Sequence, residues 1–391
     1  MVFGQEKWIM TNDFQDKKIA IVCDWIKDWG GAEIVLTQLM ELFPDADIYT
    51  SVFFQKNNTL FQNRNIHTSF IQKIPFLNTS HKLALLLRPQ AFESFDLSTY
   101  DIVISSSSAE SKWVITKPDC LHICYCHTPT RYFWSHYEEY LNMMEFGILN
   151  PLWKWLMPKL IKSLRRWDYA AAQRPDYFIA NSQNTAQRIE KYYKRESEVI
   201  YPCLDLSEFT WPHPQPLSLA ERGDFYLAVG RCIPYKKFDL LVGTFNENGK
   251  KLVIITNTDN TLYRHLQKIS KANIEWKFNP SREKIIADYA CAKAFIFPPE
   301  EDFWLVPLEA QAVGTPVIAF GKWWALETVT ENTWVFFEEQ TVESLNKTIE
   351  NFEKQSFDYE AIKQHALKFD QSIFKKQVID FIKDKLYNKK V

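Results

Sequence analysis

The sequence predicts an α/β chain of two doubly wound parallel-sheet domains facing across a cleft. Three observations carry that expectation. The chain has 391 residues, more than the roughly 250–300 at which a single hydrophobic core stops growing. Buried-type apolar runs alternate with segments of helical periodicity, the pattern of a parallel sheet covered on both faces. The alternation breaks once, in a proline-bearing stretch, and then restarts.

In the first half, strands are expected at 17–25 (KKIAIVCDW), 46–53, 100–108, 121–128 and 174–182. Helical spacing marks 30–43 and 183–194. Residues 201–224 carry four of the 18 prolines and lose periodicity, which suits an interdomain linker. Strands follow at 225–231, 251–256, 292–298 and 316–320. Helices are expected at 238–247, 261–270, 306–314, 341–354 and 370–386. The domains then run over 1–205 and 206–371, and the last helix, 372–391, returns to the first domain. Such sheets bind ligands beyond the carboxyl ends of their strands.

A net charge of −2 gives no reason to expect a nucleic-acid partner. The N-terminal residues MVFGQEKWIMTNDFQDKK lack the apolar core of a signal peptide. No run approaches the ~18 apolar residues of a membrane span. Seven cysteines in irregular spacing fit reduced thiols of a cytoplasmic protein. Cys120, Cys124, Cys126 and His127 lie close enough to suggest a metal site. LHICYC, however, alternates like a buried strand, and no second ligand cluster of zinc spacing follows. Residues 150–174 are basic and aromatic, with Lys154, Lys159, Lys162, Arg165 and Arg166 among Trp153, Trp155, Ile161, Leu164 and Trp167. As a helix, 152–167 suits either contact with an anionic membrane surface or domain packing with a solvated basic face.

Chemistry concentrates in FIFPPEEDFWLVPLEAQAVGTPVIAF (295–320). A strand ends at Pro298, an acidic loop of Glu300, Glu301 and Asp302 follows, and Glu309 lies in the next helix, with seven residues between it and Glu301. Carboxylates there can accept charge-assisted hydrogen bonds from vicinal hydroxyls. Arg231 and Lys236, in GRCIPYK, offer two cations after the first strand of the second half. Gly30 and Gly31 open a helix; the turn is either a plain tight turn or a place for close approach to a phosphate.

The segment PPEEDFWLVPLEAQAVGTPV resembles the glutamate–seven–glutamate motif of glycosyltransferase family 4. GGAEIVL, YCHTPTRYFW, IANSQNTAQRI, YPCLDLSEF, VGRCIPYKKFDLLVGTF and ALETV resemble the family's other segments, in its order. The resemblance spans nearly the whole chain. It implies the GT-B fold of two Rossmann-like domains and a retaining, metal-independent hexosyl transfer without a cofactor. The donor would be a nucleotide-diphosphate sugar, GDP-mannose in the bacterial mannosyltransferase branch. The acceptor would be a glycan or a polyprenyl-linked glycan, and the enzyme cytoplasmic or peripheral on the inner face of the membrane.

The resemblance also assigns residues. Glu301 would hold hydroxyls of the transferred sugar and Glu309 the ribose. Arg231 and Lys236 would neutralise the diphosphate. His127 would touch the donor sugar. Gly230, Asp302, Phe303, Leu305 and Val306 would line the donor site. Gly30 and Gly31 would form the loop over the reaction centre, and Arg131 would either contact the acceptor or cap its loop. A GT-B epimerase and a non-catalytic nucleotide-sugar-binding relative are the competing readings.

The sequence departs from the family at Trp304, Trp323, Trp324 and Trp334, where glycine is usual. It holds 14 Trp and 10 Gly, against the ~27 Gly expected from an average usage of about 7%. A reshaped site, deliberate change, or an opal codon meaning glycine would each produce this. TGG codons at these four positions in the coding DNA would eliminate the last.

Overall fold

The computed structural model describes residues 14, 16–27, 30–55, 58–79, 84–135, 137, 150–210, 222–300, 303, 305–321 and 334–388, with side chains of 150–154 and 210 left aside. They form two compact units, Met1–Pro202 with Phe374–Val391, and Cys203–Ile373.

The first unit holds a seven-stranded sheet in the order β3-β2-β1-β4-β5-β6-β7. Its strands are β1 (Ile19–Cys23), β2 (Asp47–Thr50), β3 (Ile66–Thr68), β4 (Ile102–Ser107), β5 (Leu121–Cys126), β6 (Tyr177–Ala180) and β7 (Glu198–Val199). Every pairing is parallel. The central strands β1, β4 and β5 are buried along their whole length, which explains their unbroken apolar or small-residue runs. Three helices matter below: α1 (Gly31–Leu42), α2 (Arg88–Glu93) and α3 (Asn150–Ala171). The last helix, α11 (Gln371–Asn388), packs on this unit, with Phe374 against Tyr125 and Phe381 against Tyr177.

The second unit holds six strands in the order β10-β9-β8-β11-β12-β13, again all parallel. They are β8 (Tyr226–Val229), β9 (Leu252–Thr256), β10 (Ile274–Phe278), β11 (Ala294–Phe297), β12 (Val317–Phe320) and β13 (Trp334–Phe337). The helices that place side chains discussed below are α7 (Arg282–Cys291) and α8 (Leu305–Ala312). Leu241, Phe245, Leu252, Ile254, Ile296, Ile318, Leu345 and Ile349 make its core.

Four strands escape the sequence reading: β3, β7, β10 and β13. All are outer strands of their sheets. β3 and β10 are mostly half-buried or exposed, so they show no unbroken apolar run. The expected linker also needs correction at its end. Arg222 is buried and donates to Ala290 O (2.8 Å), Gly314 O (2.9 Å) and Thr315 Oγ1 (2.7 Å), so this part belongs to the second unit's framework.

In α3, Ile161 and Leu164 are buried with Met157 in the first unit's core. They are not available to a membrane surface, because the helix spends its apolar face on packing. Its exposed face carries Trp155, Lys159, Lys162, Arg166 and Tyr169.

Candidate functional site

In each sheet the strand order reverses once, between β1 and β4 in the first and between β8 and β11 in the second. Loops leaving such a switch point diverge and open a crevice. The sequence candidates fall in segments that follow these strands or the neighbouring β5. Gly30 and Gly31 follow β1, and His127 and Arg131 follow β5 beside β4. Gly230, Arg231 and Lys236 follow β8; Phe303, Leu305, Val306 and Glu309 follow β11. Glu301, Asp302, Trp304, Trp323 and Trp324 lie outside the described residues.

In the second unit, Gly230 follows β8 directly and donates its amide to Ile255 O at 3.0 Å. A Cβ there would lie 4.0 Å from Lys236 Cδ and Cε, so the lysine stem runs past the glycine. Lys236 closes a 3₁₀ turn (Pro234–Lys236), and its ammonium sits 5.6 Å from the centre of the Phe297 ring. Phe297 is the last residue of β11, so the cation reaches the strand that leads into the acidic loop. Arg231 is exposed, with Nη2 3.5 Å from Tyr235 Oη.

Glu309 sits in α8 and its side chain is 12% exposed. Arg282 Nη2 lies 2.9 Å from Glu309 Oε1, and Tyr289 donates its hydroxyl to Oε2 at 2.9 Å. Burial pushes the Tyr289 phenol well up, and the Glu309 carboxylate adds to it, so Tyr289 stays a donor. Burial works against the charge of Arg282, but Glu309 more than offsets it and holds the guanidinium above the usual arginine range. Leu305 and Val306 open α8, half-buried, and the Phe303 ring lies 6.1 Å from that of Phe369. Trp334 is buried, begins β13 and stacks on Phe336 at 6.2 Å.

In the first unit, Asp24 ends the β1 run and accepts from the amides of Ser108 (2.6 Å), Ala109 (2.9 Å) and Ser111 (2.6 Å). This ties the loop after β4 down to β1. His127 Nε2 lies 2.8 Å from Ser106 Oγ on β4. Burial depresses the imidazole to about 4, so it is neutral at pH 7. Beyond it, Asp168 of α3 collects the loop after β5. It accepts from Trp113 Nε1 (2.9 Å), Thr130 Oγ1 (3.1 Å), Trp134 Nε1 (2.7 Å) and Tyr193 Oη (2.8 Å), and pairs with Lys112 at 2.8 Å. Arg131 lies on that loop, half-buried. Gly30 has φ −157°, an extended conformation open to any residue, so the backbone does not itself demand glycine there.

Cys124 and Cys126 are strand residues in the buried interior of β5, and all seven cysteines are thiols. Among the described residues, no group of three or more His, Cys, Asp or Glu could hold a metal ion. No described helix is long and apolar enough to cross a membrane.

Ser106, Asp168, Arg282 and Tyr289 were not among the sequence candidates. Ser106 shares a serine run with three neighbours, and nothing in the sequence says which of them meets His127. Arg282 and Tyr289 precede Glu309 by a helix, a strand and a loop, and no spacing connects them.

Comparisons with known proteins match both halves of the chain. The profile "Glycosyltransferase Family 4" matches residues 29–208, and "Glycosyl transferases group 1" matches 210–369. The chain is 25% identical over 248 residues to alpha-1,3/1,6-mannosyltransferase ALG2 of Saccharomyces cerevisiae, covering 51% of this chain and 48% of the relative. The Mus musculus protein of the same name is 24% identical over 209 residues, covering 45% and 50%. The matches thus span about half the length of these relatives. Among solved structures, Anabaena HepE in complex with UDP and glucose superposes with a TM-score of 0.64 at 17% identity, over 94% of this chain and 99% of that one. Sucrose-phosphate synthase of Thermosynechococcus elongatus gives 0.66 at 16%, over 95% and 98%. With a family 4 module, a group 1 module and two parallel-sheet units of matching fold, the chain belongs to the glycosyltransferases of GT-B architecture.

Proposed function

We propose that the protein transfers a hexose, mannose in the first instance, from a nucleoside diphosphate sugar to a glycan or polyprenyl-linked acceptor. One observation carries this reading. The loops leaving the β8/β11 switch point bring cations, Arg231 and Lys236, and a clamped carboxylate, Glu309, to the carboxyl edge of one sheet. A diphosphate needs the first and a ribose diol the second. The mannosyltransferase relatives support the choice of mannose, and the UDP in a neighbouring fold supports a nucleotide donor.

In this reading the bond between the sugar's anomeric carbon and the diphosphate oxygen breaks, and the acceptor hydroxyl oxygen bonds that carbon. The acceptor proton leaves with the diphosphate. Negative charge grows on the departing group, so fixed cations at Arg231 and Lys236 stabilise the transition state more than the ground state. Glu301 holds hydroxyls of the transferred sugar, and Asp302, Phe303, Leu305, Val306 and Gly230 line the donor. From the first unit, neutral His127 donates or accepts a hydrogen bond at the sugar, while Gly30, Gly31 and Arg131 serve the acceptor side. Retention of anomeric configuration and independence from metals and cofactors belong to the same proposal.

A panel of GDP-mannose, UDP-glucose, UDP-galactose and related donors, read by thermal shift, tests it. A bound donor raises the melting temperature by mass action, by about 2.7 kcal/mol of stability at 100 times its Kd. GDP-mannose is expected to give the largest shift and to release GDP when an acceptor is added. No shift with any nucleotide sugar overturns the reading. A shift without nucleotide release under any acceptor favours the non-catalytic relative instead.

The exposed face of α3 supports a membrane-surface acceptor. Trp155, Lys159, Lys162, Arg166 and Tyr169 fall at helical spacing on one side, with the Lys159 ammonium 3.4 Å from the centre of the Trp155 ring. The contact is with lipid headgroups through these cations, since the apolar face of the helix is already packed.

A further inference from the structure

Glu309 is held from two directions by one helix. Arg282 and Tyr289 are seven residues apart on α7, two turns along the same face. Arg282 engages Oε1 and Tyr289 engages Oε2, each at 2.9 Å. Tyr289 is itself fixed: it is fully buried, and its carbonyl accepts from Thr315 Oγ1 at 2.7 Å. Arg282 is fixed as well. Its Nε donates to Glu208 Oε2 at 3.1 Å, and its guanidinium lies 5.1 Å from the centre of the Phe209 ring.

The consequence follows from the lone pairs. A carboxylate offers about four acceptor positions, two on each oxygen. Among the described residues, the clamp uses one position on each oxygen and leaves one on each. The carboxylate can no longer rotate, and its remaining acceptors are spaced as two adjacent hydroxyls require. The side chain keeps 12% exposure, so part of it stays open to a ligand. The Arg282 charge also prevents a nearly buried carboxylate from standing uncompensated before the ligand arrives.

We infer that Arg282, with Tyr289, is a positioning residue that aims Glu309 at the vicinal hydroxyls of the donor ribose and so sets selectivity for ribonucleotides. The inference rests on the donor reading above. Arg282 acts through Glu309 and does not hold the phosphates; those fall to Arg231 and Lys236.

The experiment measures Kd by calorimetry for GDP and 2′,3′-dideoxy-GDP, and for UDP with its dideoxy form, on the full chain. Wild type, Arg282→Ala, Arg282→Lys and Tyr289→Phe are compared. Wild type is expected to prefer the ribo form about tenfold or more, the effect of charge-assisted hydrogen bonds to two hydroxyls. Arg282→Ala is expected to bring the ratio within about twofold while leaving the dideoxy Kd in place. Arg282→Lys restores part of the preference, because an ammonium keeps the charge but not the fork. Tyr289→Phe lies between wild type and Arg282→Ala. A merely structural role would weaken both ligands together and leave the ratio alone. An unchanged ratio, an equal loss on both ligands, or a wild type that ignores the ribose hydroxyls overturns the inference. If Arg282→Ala does not fold, Arg282→Lys and Tyr289→Phe decide by the same ratio. If wild type binds neither nucleotide, the donor reading fails first and this inference with it.

Discussion

The two units share a plan and treat charge in opposite ways. In the first, the ionisable groups near the switch point are sealed. Lys112 and Asp168 have no exposed side-chain surface, and Arg88 and Glu110 have 4% and none. Each partner faces another protein group: Tyr132 donates to Glu110, and Trp113, Trp134 and Tyr193 donate to Asp168. In the second, Arg282 keeps 39% exposure, Glu309 keeps 12%, and Arg231 is exposed. A charge that fastens a loop is best enclosed. A charge that must meet a charged ligand needs a face left open. The contrast assigns framework work to the first set and ligand work to the second.

The strongest way to break that assignment is Asp168→Ala. It strands Lys112 in a sealed interior, and breaking a buried pair costs about 3–5 kcal/mol. Urea unfolding at pH 7 is expected to show that loss. Arg282→Ala leaves Glu309 with Tyr289 and part of its surface open to water, and is expected to cost less than Asp168→Ala. If Asp168→Ala unfolds within about 1 kcal/mol of wild type, the sealed network is not a fastener and the contrast collapses.

Much of this was legible in the sequence for a physical reason. Central strands such as IAIVC and LHICYC are buried on both faces, so their composition alone declares them. The outer strands β3 and β10 meet solvent, and the same chemistry leaves no such mark. The site divides likewise. Arg231, Lys236 and Glu309 lie in short stretches right after strands, where local order carries information. Arg282 acts on Glu309 from a different helix, and Asp168 gathers Lys112, Thr130 and Trp134 from separate segments. Such meetings are made by the topology of the sheet. The face of α3 is a third case: amphipathic spacing was visible, but only packing shows which face is already taken.

Lys236→Ala addresses the ligand side of the contrast, at a cation that is itself largely buried. If this ammonium stabilises charge on the departing diphosphate, turnover should fall about 10²–10³-fold, the usual effect of removing one preorganised partner of developing charge. The donor KM should change far less, because the interaction strengthens in the transition state. Steady-state kinetics with the preferred donor reads both. A rise in KM at constant kcat would make Lys236 a ground-state contact only.

Acid tests burial in the first unit again. His127 is depressed to about 4 by burial, below the ~6.5 of an exposed imidazole. Between those values the unfolded chain binds the proton and the folded chain does not. The contribution is therefore complete above about pH 6.5 and shrinks as pH falls toward 4, by about 3 kcal/mol in all. His365, depressed to about 4 by burial and by Lys368, acts in the same direction. Urea midpoints between pH 4.5 and 7.5 should fall on acidification, and His127→Gln should flatten the slope. Equal slopes in wild type and variant would show that His127 is not enclosed as neutral imidazole.

The smallest effect is at the surface, where the contrast is sharpened from the other end. Lys159, Lys162 and Arg166 are exposed on α3, while the same helix hides Asp168 and Met157. One helix thus carries both kinds of charge, and only the outer kind can respond to a partner. Near an anionic bilayer each such cation is worth about 1 kcal/mol, roughly fivefold in partitioning. Sedimentation with phosphatidylserine vesicles should weaken stepwise as Lys159, Lys162 and Arg166 are changed to Ala. It should also weaken as salt shortens the Debye length from ~30 Å at 0.01 M to ~8 Å at 0.15 M. Changing Lys347, exposed on the other unit, should have no effect. Equal losses from Lys347→Ala and the α3 variants would mean diffuse attraction by net charge, and no sedimentation at low salt would leave the α3 face a solvated one. Because Trp155 is exposed at this stripe's N-terminal end, Trp155→Ala separates headgroup attraction from insertion: it should lower binding without changing the salt slope.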